Sequence, residues 1–274
     1  MVNLKKIITT IGILASSALI YTNTLSNNIG FSYSIDSIKN KTDETEVIHK
    51  KDFSTNLNLY EKEGFFLGLL IKASLQNNFE DDFNKYKEGG LGLLISVDVG
   101  SSKSIAIKGN YFLGEKEIQE YFKSDINSYN LSVEGVFSFD AMKIKPEVSY
   151  QNVKEDLSPY NKLEKEIIKF DLYFILPLHE GKKTRLYFSL VPGIESYKVN
   201  NKFLFIGEKR KQDLLEETFK AGLSYFQGLG GNVDLIMGVY FNSSLHNKID
   251  PASFEITVDK ENSTKVEIGL EYNF

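Results

Sequence analysis

The sequence predicts an all-β chain, a transmembrane antiparallel up-and-down β-barrel, and three observations carry that reading. Apolar and polar residues alternate through segment after segment of about 11 to 15 residues, longer than the usual 5 or 6 of soluble strands and suited to a tilted crossing of hydrocarbon. The connectors between these segments alternate short and long in strict order. Beyond the amino terminus every apolar run is broken by polar residues at alternate positions, so any membrane residence must come from strands.

The amino terminus reads as a secretory leader. MVNLKK supplies two lysines, Ile7 to Tyr21 supply an apolar run of 15 residues, and the polar TNTLSNN follows. A spanning helix needs roughly 20 residues, so a cleaved signal over residues 1–26 is preferred to a retained anchor, with cleavage after Ser26 favoured over Ser17. Residues 27–274 are then the barrel. Losing Lys5 and Lys6 takes the formal charge from −5 to −7, which argues against a nucleic-acid partner. The chain contains no cysteine, which excludes a lipid-modified lipoprotein and a disulfide framework.

Strands follow in order. Residues 64–76 set Phe65, Leu67, Leu69, Ile71, Ala73 and Leu75 against a mixed face carrying Lys72. In 90–100, Leu91, Leu93, Ile95, Val97 and Val99 oppose Gly92, Leu94, Ser96 and Asp98, and in 103–113, Ile105, Ile107, Tyr111 and Leu113 oppose Ser104, Ala106, Lys108 and Asn110. The same pattern fills 128–139, 142–152, 165–178, 183–197, 214–226, 232–242 and 264–274. Short turns are expected near 100–103, 140–141, 179–182 and 227–231, and polar loops at 77–89, 114–127, 153–164, 198–213 and 243–263. That sorting is characteristic of membrane barrels, with tight turns on one side and longer loops on the other. Two weaker segments, Ile29–Ile35 and Phe53–Leu59, joined by a loop over 36–52 and followed by a turn at 61–64, raise the count from ten to twelve. Twelve strands are preferred; under the ten-strand alternative, 27–63 is an extension or plug. Residues 115–124 and 209–219 have spacing compatible with short helices.

The carboxy terminus, VEIGLEYNF, alternates to the last residue. Its Glu267, Gly269, Tyr272 and Phe274 resemble the assembly signal of bacterial outer-membrane barrel proteins: a polar residue, a glycine two later, and aromatics at the antepenultimate and final positions. That resemblance implies a Gram-negative outer-membrane location and recognition by the barrel-assembly machinery through strand pairing. Phe137, Phe139, Tyr150, Tyr225, Phe241 and Tyr272 fit an interfacial girdle made without tryptophan.

Function is expected on the inward face. Parity places Lys72, Lys108, Lys143, Lys145, Lys169, Arg185 and Lys220 there, with Asp98, Glu134, Glu147, Asp171, Glu195, Asp234, Glu267 and Glu271. Seven cations against eight anions suit either a wall-filling ion-pair network or a narrow, weakly selective, porin-like channel for ions or small solutes. The alternative is a non-conducting barrel with surface loops for adhesion or envelope integrity. An autotransporter is disfavoured, because the strands begin soon after the leader.

No enzymatic activity, cofactor or metal is expected. The three histidines, His49, His179 and His246, fall in connectors; His49 near Asp43 and His246 near Asp250 read as solvated loop residues. Asp81 and Asp82 lack the spacing of a calcium loop. The expected partners are outer-membrane lipid and lipopolysaccharide, the latter also through the EKRK patch at 208–211, and host or phage surfaces of unknown identity.

Overall fold

The computed structural model describes residues 27–39, 45–78, 84–100, 102–118, 122–158, 161–203, 208–249 and 256–274. Twelve strands appear in chain order: β1 (Asn28–Lys39), β2 (Thr45–Lys62), β3 (Phe65–Asn78), β4 (Asn84–Gly100), β5 (Lys103–Ile118), β6 (Phe122–Ser138), β7 (Lys143–Ser158), β8 (Asn161–Glu180), β9 (Thr184–Phe203), β10 (Glu208–Gly230), β11 (Val233–Ile249) and β12 (Ile256–Asn273). Every strand pairs antiparallel with its sequence neighbours, and β1 pairs with β12 from Asn28↔Asn273 to Lys39↔Asn262, which closes the barrel. The ten-strand alternative is thereby excluded. The candidate leader at 1–26 lies outside the described residues.

Alternation along each strand turns the usual distribution of polarity inside out. Leu91, Leu93, Ile95, Val97 and Val99 of β4 are exposed, as are Ile105, Ile107, Tyr111 and Leu113 of β5 and Val266, Ile268 and Leu270 of β12. Ser96, Lys108, Ser132, Glu134, Asp171, Ser224, Ser263 and Lys265 are buried inside. An apolar exterior of this extent is stable only against lipid. Tyrosines mark the band's outer edge, with Tyr111 opposite Tyr129 in the register and the Tyr129 and Tyr150 rings 5.8 Å apart. At the other edge Tyr60 meets Phe65 at 6.0 Å, and Tyr272 stacks on Phe274 at 5.9 Å.

The tight turns are of the hairpin kind. Glu63 and Gly64 have φ of 51° and 79°, and Gly231 and Asn232 have φ of 61° and 63°, so both central residues of each turn are left-handed, as a two-residue turn matched to strand twist requires. At the opposite end the structure departs from the expected long loops. Most of 77–89, 114–127, 153–164, 198–213 and 243–263 continues the strands as paired extensions past the apolar band. Polar residues on both faces ended the alternation there while backbone pairing carried on. The helix-compatible spacing of 209–219 is likewise overturned, since the segment lies in β10. Of 115–124, the parts 115–118 and 122–124 are strand and 119–121 lie outside the described residues.

Inside, bulky rings lie where the neighbouring strand has no side chain. A Cβ on Gly222 or on Gly238 would fall 2.5 Å from the Tyr240 ring, so these two glycines form the seat of that tyrosine.

Depth dependence tests the exterior assignment. Ile95→Arg should cost about 2–4 kcal/mol of folding stability and Val99→Arg, at the rim, about 0–1 kcal/mol, measured by equilibrium unfolding in lipid vesicles. Equal costs would remove the lipid band.

Candidate functional site

The inward residues form chains of ion pairs that run along the wall. Glu134 of β6 forms ion pairs with Lys108 of β5 at 2.7 Å and Lys145 of β7 at 2.9 Å, and Lys145 also reaches Glu147 at 3.3 Å while lying 4.7 Å over the Tyr173 ring. On β8 to β10, Lys169 pairs with Glu195 and lies 3.3 Å from Asp171, which Lys220 approaches at 3.6 Å. The Tyr197 hydroxyl donates to Glu195 and, at 3.1 Å, to Glu216. On β12, Lys265 meets Glu267 at 2.9 Å, and on β2, Lys50 meets Asp52 at 2.8 Å.

Near the short turns, Arg185 pairs with Asp234 at 3.0 Å and Asn28 donates to Glu271 at 3.3 Å. Asp98 is exposed at its strand end, its N–H donating to the Gly64 carbonyl at 2.7 Å, and Lys143 opens β7 half-buried opposite Ser138. Lys72 has no ion pair among the described residues. Each bridge among the described residues joins one strand to itself, to its neighbour or to the next strand but one. None spans the barrel.

What remains between the walls is a central cavity of about 180 Å³ with lining from every strand except β10. Its neutral lining includes Ser32, Ser54, Ser74, Ser128, Asn130, Ser149 and Gln151. The Ser74 hydroxyl and the Asn130 carbonyl oxygen are buried without a protein partner, which suits contact with water or a polar solute. Its charged lining comprises three lysines, Lys50, Lys72 and Lys169, against seven carboxylates, Asp52, Glu88, Glu147, Asp171, Glu195, Glu267 and Glu271.

Toward the short turns two apolar patches face each other. Phe66, Leu70, Leu94 and Ala106 line β3 to β5, and Tyr173, Ile175, Tyr187, Val191 and Phe226 line β8 to β10. These sectors centre on β4 and β9, five places apart in the closed order of twelve, and so stand across the lumen from each other.

Several charged inward residues were not among those the sequence reading singled out: Asp36, Lys50, Asp52, Glu88, Lys116, Glu155, Lys165, Glu216 and Lys265. Lys116 and Glu155, 3.4 Å apart, lie on the strand extensions mistaken for loops, whereas Lys165 opens the expected strand 165–178 and shares the parity of Lys169. Lys265 shares a face with Glu267 two residues away, and parity alone would have found it. All three histidines belong to strands and not to connectors. His49 is outward on β2, hydrogen-bonded to the Tyr33 hydroxyl, and His179 near the end of β8 contacts the Thr184 hydroxyl at 3.0 Å. His246 lies in β11 opposite Asp259. Asp43, Asp250, Asp81 and Asp82 lie outside the described residues, and 208–211 open β10.

No protein-family model matches the sequence, and no curated relative does. Among solved structures, the translocator domain of the autotransporter NalP from Neisseria meningitidis aligns with a TM-score of 0.60 at 10% identity, covering 98% of this chain and 96% of that one. The β domain of the Bordetella autotransporter BrkA aligns at 0.57 with 9% identity, covering 91% and 100%. At such identity the likeness shows the fold alone.

Removing Glu134 should leave the Lys108 and Lys145 ammoniums without their shared carboxylate, so Glu134→Gln is expected to cost about 3–5 kcal/mol in equilibrium unfolding. Glu164→Gln, at the outward pair with the exposed Lys154, should cost less than about 1 kcal/mol. Similar costs at the two sites would contradict the wall network. The chain has the closed twelve-strand fold of bacterial outer-membrane barrels, with an exterior built for that membrane and a polar lumen.

Proposed function

We propose that the barrel is a narrow channel for ions and small polar solutes, with a preference for cations. The observation that carries this reading is the course of the ion pairs: they lie along the wall, so the lumen keeps a polar cavity at its centre. Balanced charge over the whole inner face does not mean balance at the cavity, where Glu88 and Glu271 have no lysine partner among the described residues and Lys72 is the one lining lysine without a carboxylate partner there. Rings of carboxylates favour cation passage. The facing apolar patches narrow the path toward the short turns, and an apolar constriction resists wetting, which keeps conductance low.

A non-conducting barrel that displays loops gains less support, because most of the connecting sequence is spent on paired strand extensions. The translocator likeness supports a barrel and says nothing of a passenger. The terminal strand, with Glu267 and Gly269 inward and Tyr272 and Phe274 outward, is what we propose the assembly machinery reads.

The refolded protein in a planar bilayer under a salt gradient should show discrete conductance steps and a reversal potential on the cation side. Glu147→Gln combined with Glu267→Gln should lower the cation preference, Lys72→Gln should raise it, and Phe226→Ser should enlarge the step. Silence from protein shown to be folded, or an anion preference in the unaltered protein, would overturn the proposal.

A further inference from the structure

We infer that the outward face of β2 to β4, at the outer edge of the apolar band, is a docking site for a phosphate-bearing acyl lipid of the surrounding leaflet. The inference rests on the barrel and its lipid band and does not depend on conduction.

From β5 to β8 the described outer rim pairs its lysines with carboxylates. Lys123 of β6 pairs with Glu115 of β5 at 3.1 Å, Lys162 of β8 with Asp156 of β7 at 3.3 Å, and Lys154 of β7 with Glu164 of β8 at 3.5 Å. The hydrogen bond and charge of Glu115 hold the Lys123 ammonium above its ordinary range. The sector from β2 to β4 is different. Lys51, Lys85 and Lys87 are exposed and have no ion pair among the described residues. Glu115 stands opposite Lys87 in the register, with its carboxylate engaged by Lys123, and Glu117 stands opposite Lys85 without forming an ion pair with it, so among the described residues three lysines face one uncommitted carboxylate.

Register brings these lysines together. Lys51 pairs with Leu75, which pairs with Lys87, and in the next row His49 pairs with Asn77, which pairs with Lys85. At a strand spacing of about 4.8 Å, the Cα atoms of Lys51 and Lys87 are about 10 Å apart, within reach of one headgroup by two flexible side chains. Lys87 lies twelve residues along β4 from Val99, so a rise of about 3.3 Å per residue and a tilt of about 40° place it about 30 Å above the opposite rim. That is headgroup height.

Beneath the lysines the exterior is shaped for a chain. The row below reads Phe53, Ala73, Gly89 and Leu113, small residues between two large ones. A Cβ at Gly89 would meet only the Lys72 carbonyl, at 4.0 Å, so the dent is open to the outside. Phe31, 5.0 Å from Phe53 between ring centroids, extends one wall. An apolar trough capped by a net positive cluster of lysines without ion pairs among the described residues is complementary to an amphiphile with acyl chains and an anionic phosphate head. A soluble anion would have no use for the trough, and a protein partner would have to displace lipid from it.

The test uses the full protein in phosphatidylcholine nanodiscs, with bisphosphorylated hexa-acyl glycolipid titrated in and bound lipid counted by native mass spectrometry. One lipid should be retained preferentially over its dephosphorylated analogue. Lys51→Gln, Lys85→Gln and Lys87→Gln should each weaken retention roughly fivefold, and on the order of a hundredfold together. The triple variant Lys123→Gln, Lys154→Gln, Lys162→Gln, which removes the same charge from the paired part of the rim, should bind as the unaltered protein does. Folding of every variant is checked by heat-modifiable migration. The inference fails if both triple variants lose lipid equally, if the dephosphorylated lipid binds as well, or if the first triple variant abolishes self-association and leaves lipid retention intact.

Discussion

In hydrocarbon no water will satisfy a backbone N–H, so the pairing of β1 with β12 is the contact on which the other strands depend. Without it the sheet would have two open edges in lipid, each with a row of unpaired groups costing several kcal/mol apiece. Closure explains why the chain runs in ordered strand to its last residues: the Phe274 N–H donates to the Asn27 carbonyl at 2.9 Å, and Asn273 donates to Asn232 at 2.9 Å. Even Gly269 reflects closure, since a Cβ there would lie 2.9 Å from the Phe31 carbonyl oxygen across the seam.

A closed barrel in lipid separates two solvents across one sheet, and the period of two then assigns every side chain to one of them. Inside, a buried lysine gains most from a nearby carboxylate, and the nearest carboxylates are on adjoining strands about 5 Å away. Neighbour-to-neighbour pairing, as in Lys108–Glu134–Lys145, is therefore the natural outcome, and it stiffens the wall without blocking the lumen. Glycines add to the same effect by letting Tyr240 lie flat against β10 and β11.

The period of two made strand number and facing legible in the sequence, down to the weak pair that became β1 and β2. Two things were not legible. The first was where strands end: beyond the lipid band the outward positions turn polar, as at Lys85, Lys87, Glu115 and Glu117, so the alternation fades while hydrogen bonding continues. That loss also hid Lys116 and Glu155. The second was partner choice. Parity shows that Glu134 faces inward, but only the register of β5, β6 and β7 decides that it takes two lysines.

The claim on which the rest turns is that alternate residues of one strand face a water-filled passage and lipid. The chain has no native cysteine, so single cysteines can report on it directly. In bilayers, a charged, membrane-impermeant thiol reagent should label Ser149→Cys, which lines the cavity, and should leave Val148→Cys, one residue away on the lipid face, untouched. Labelling of Ser149→Cys from both sides of the membrane would mark a continuous aqueous path. Labelling of Val148→Cys with Ser149→Cys protected would contradict the account.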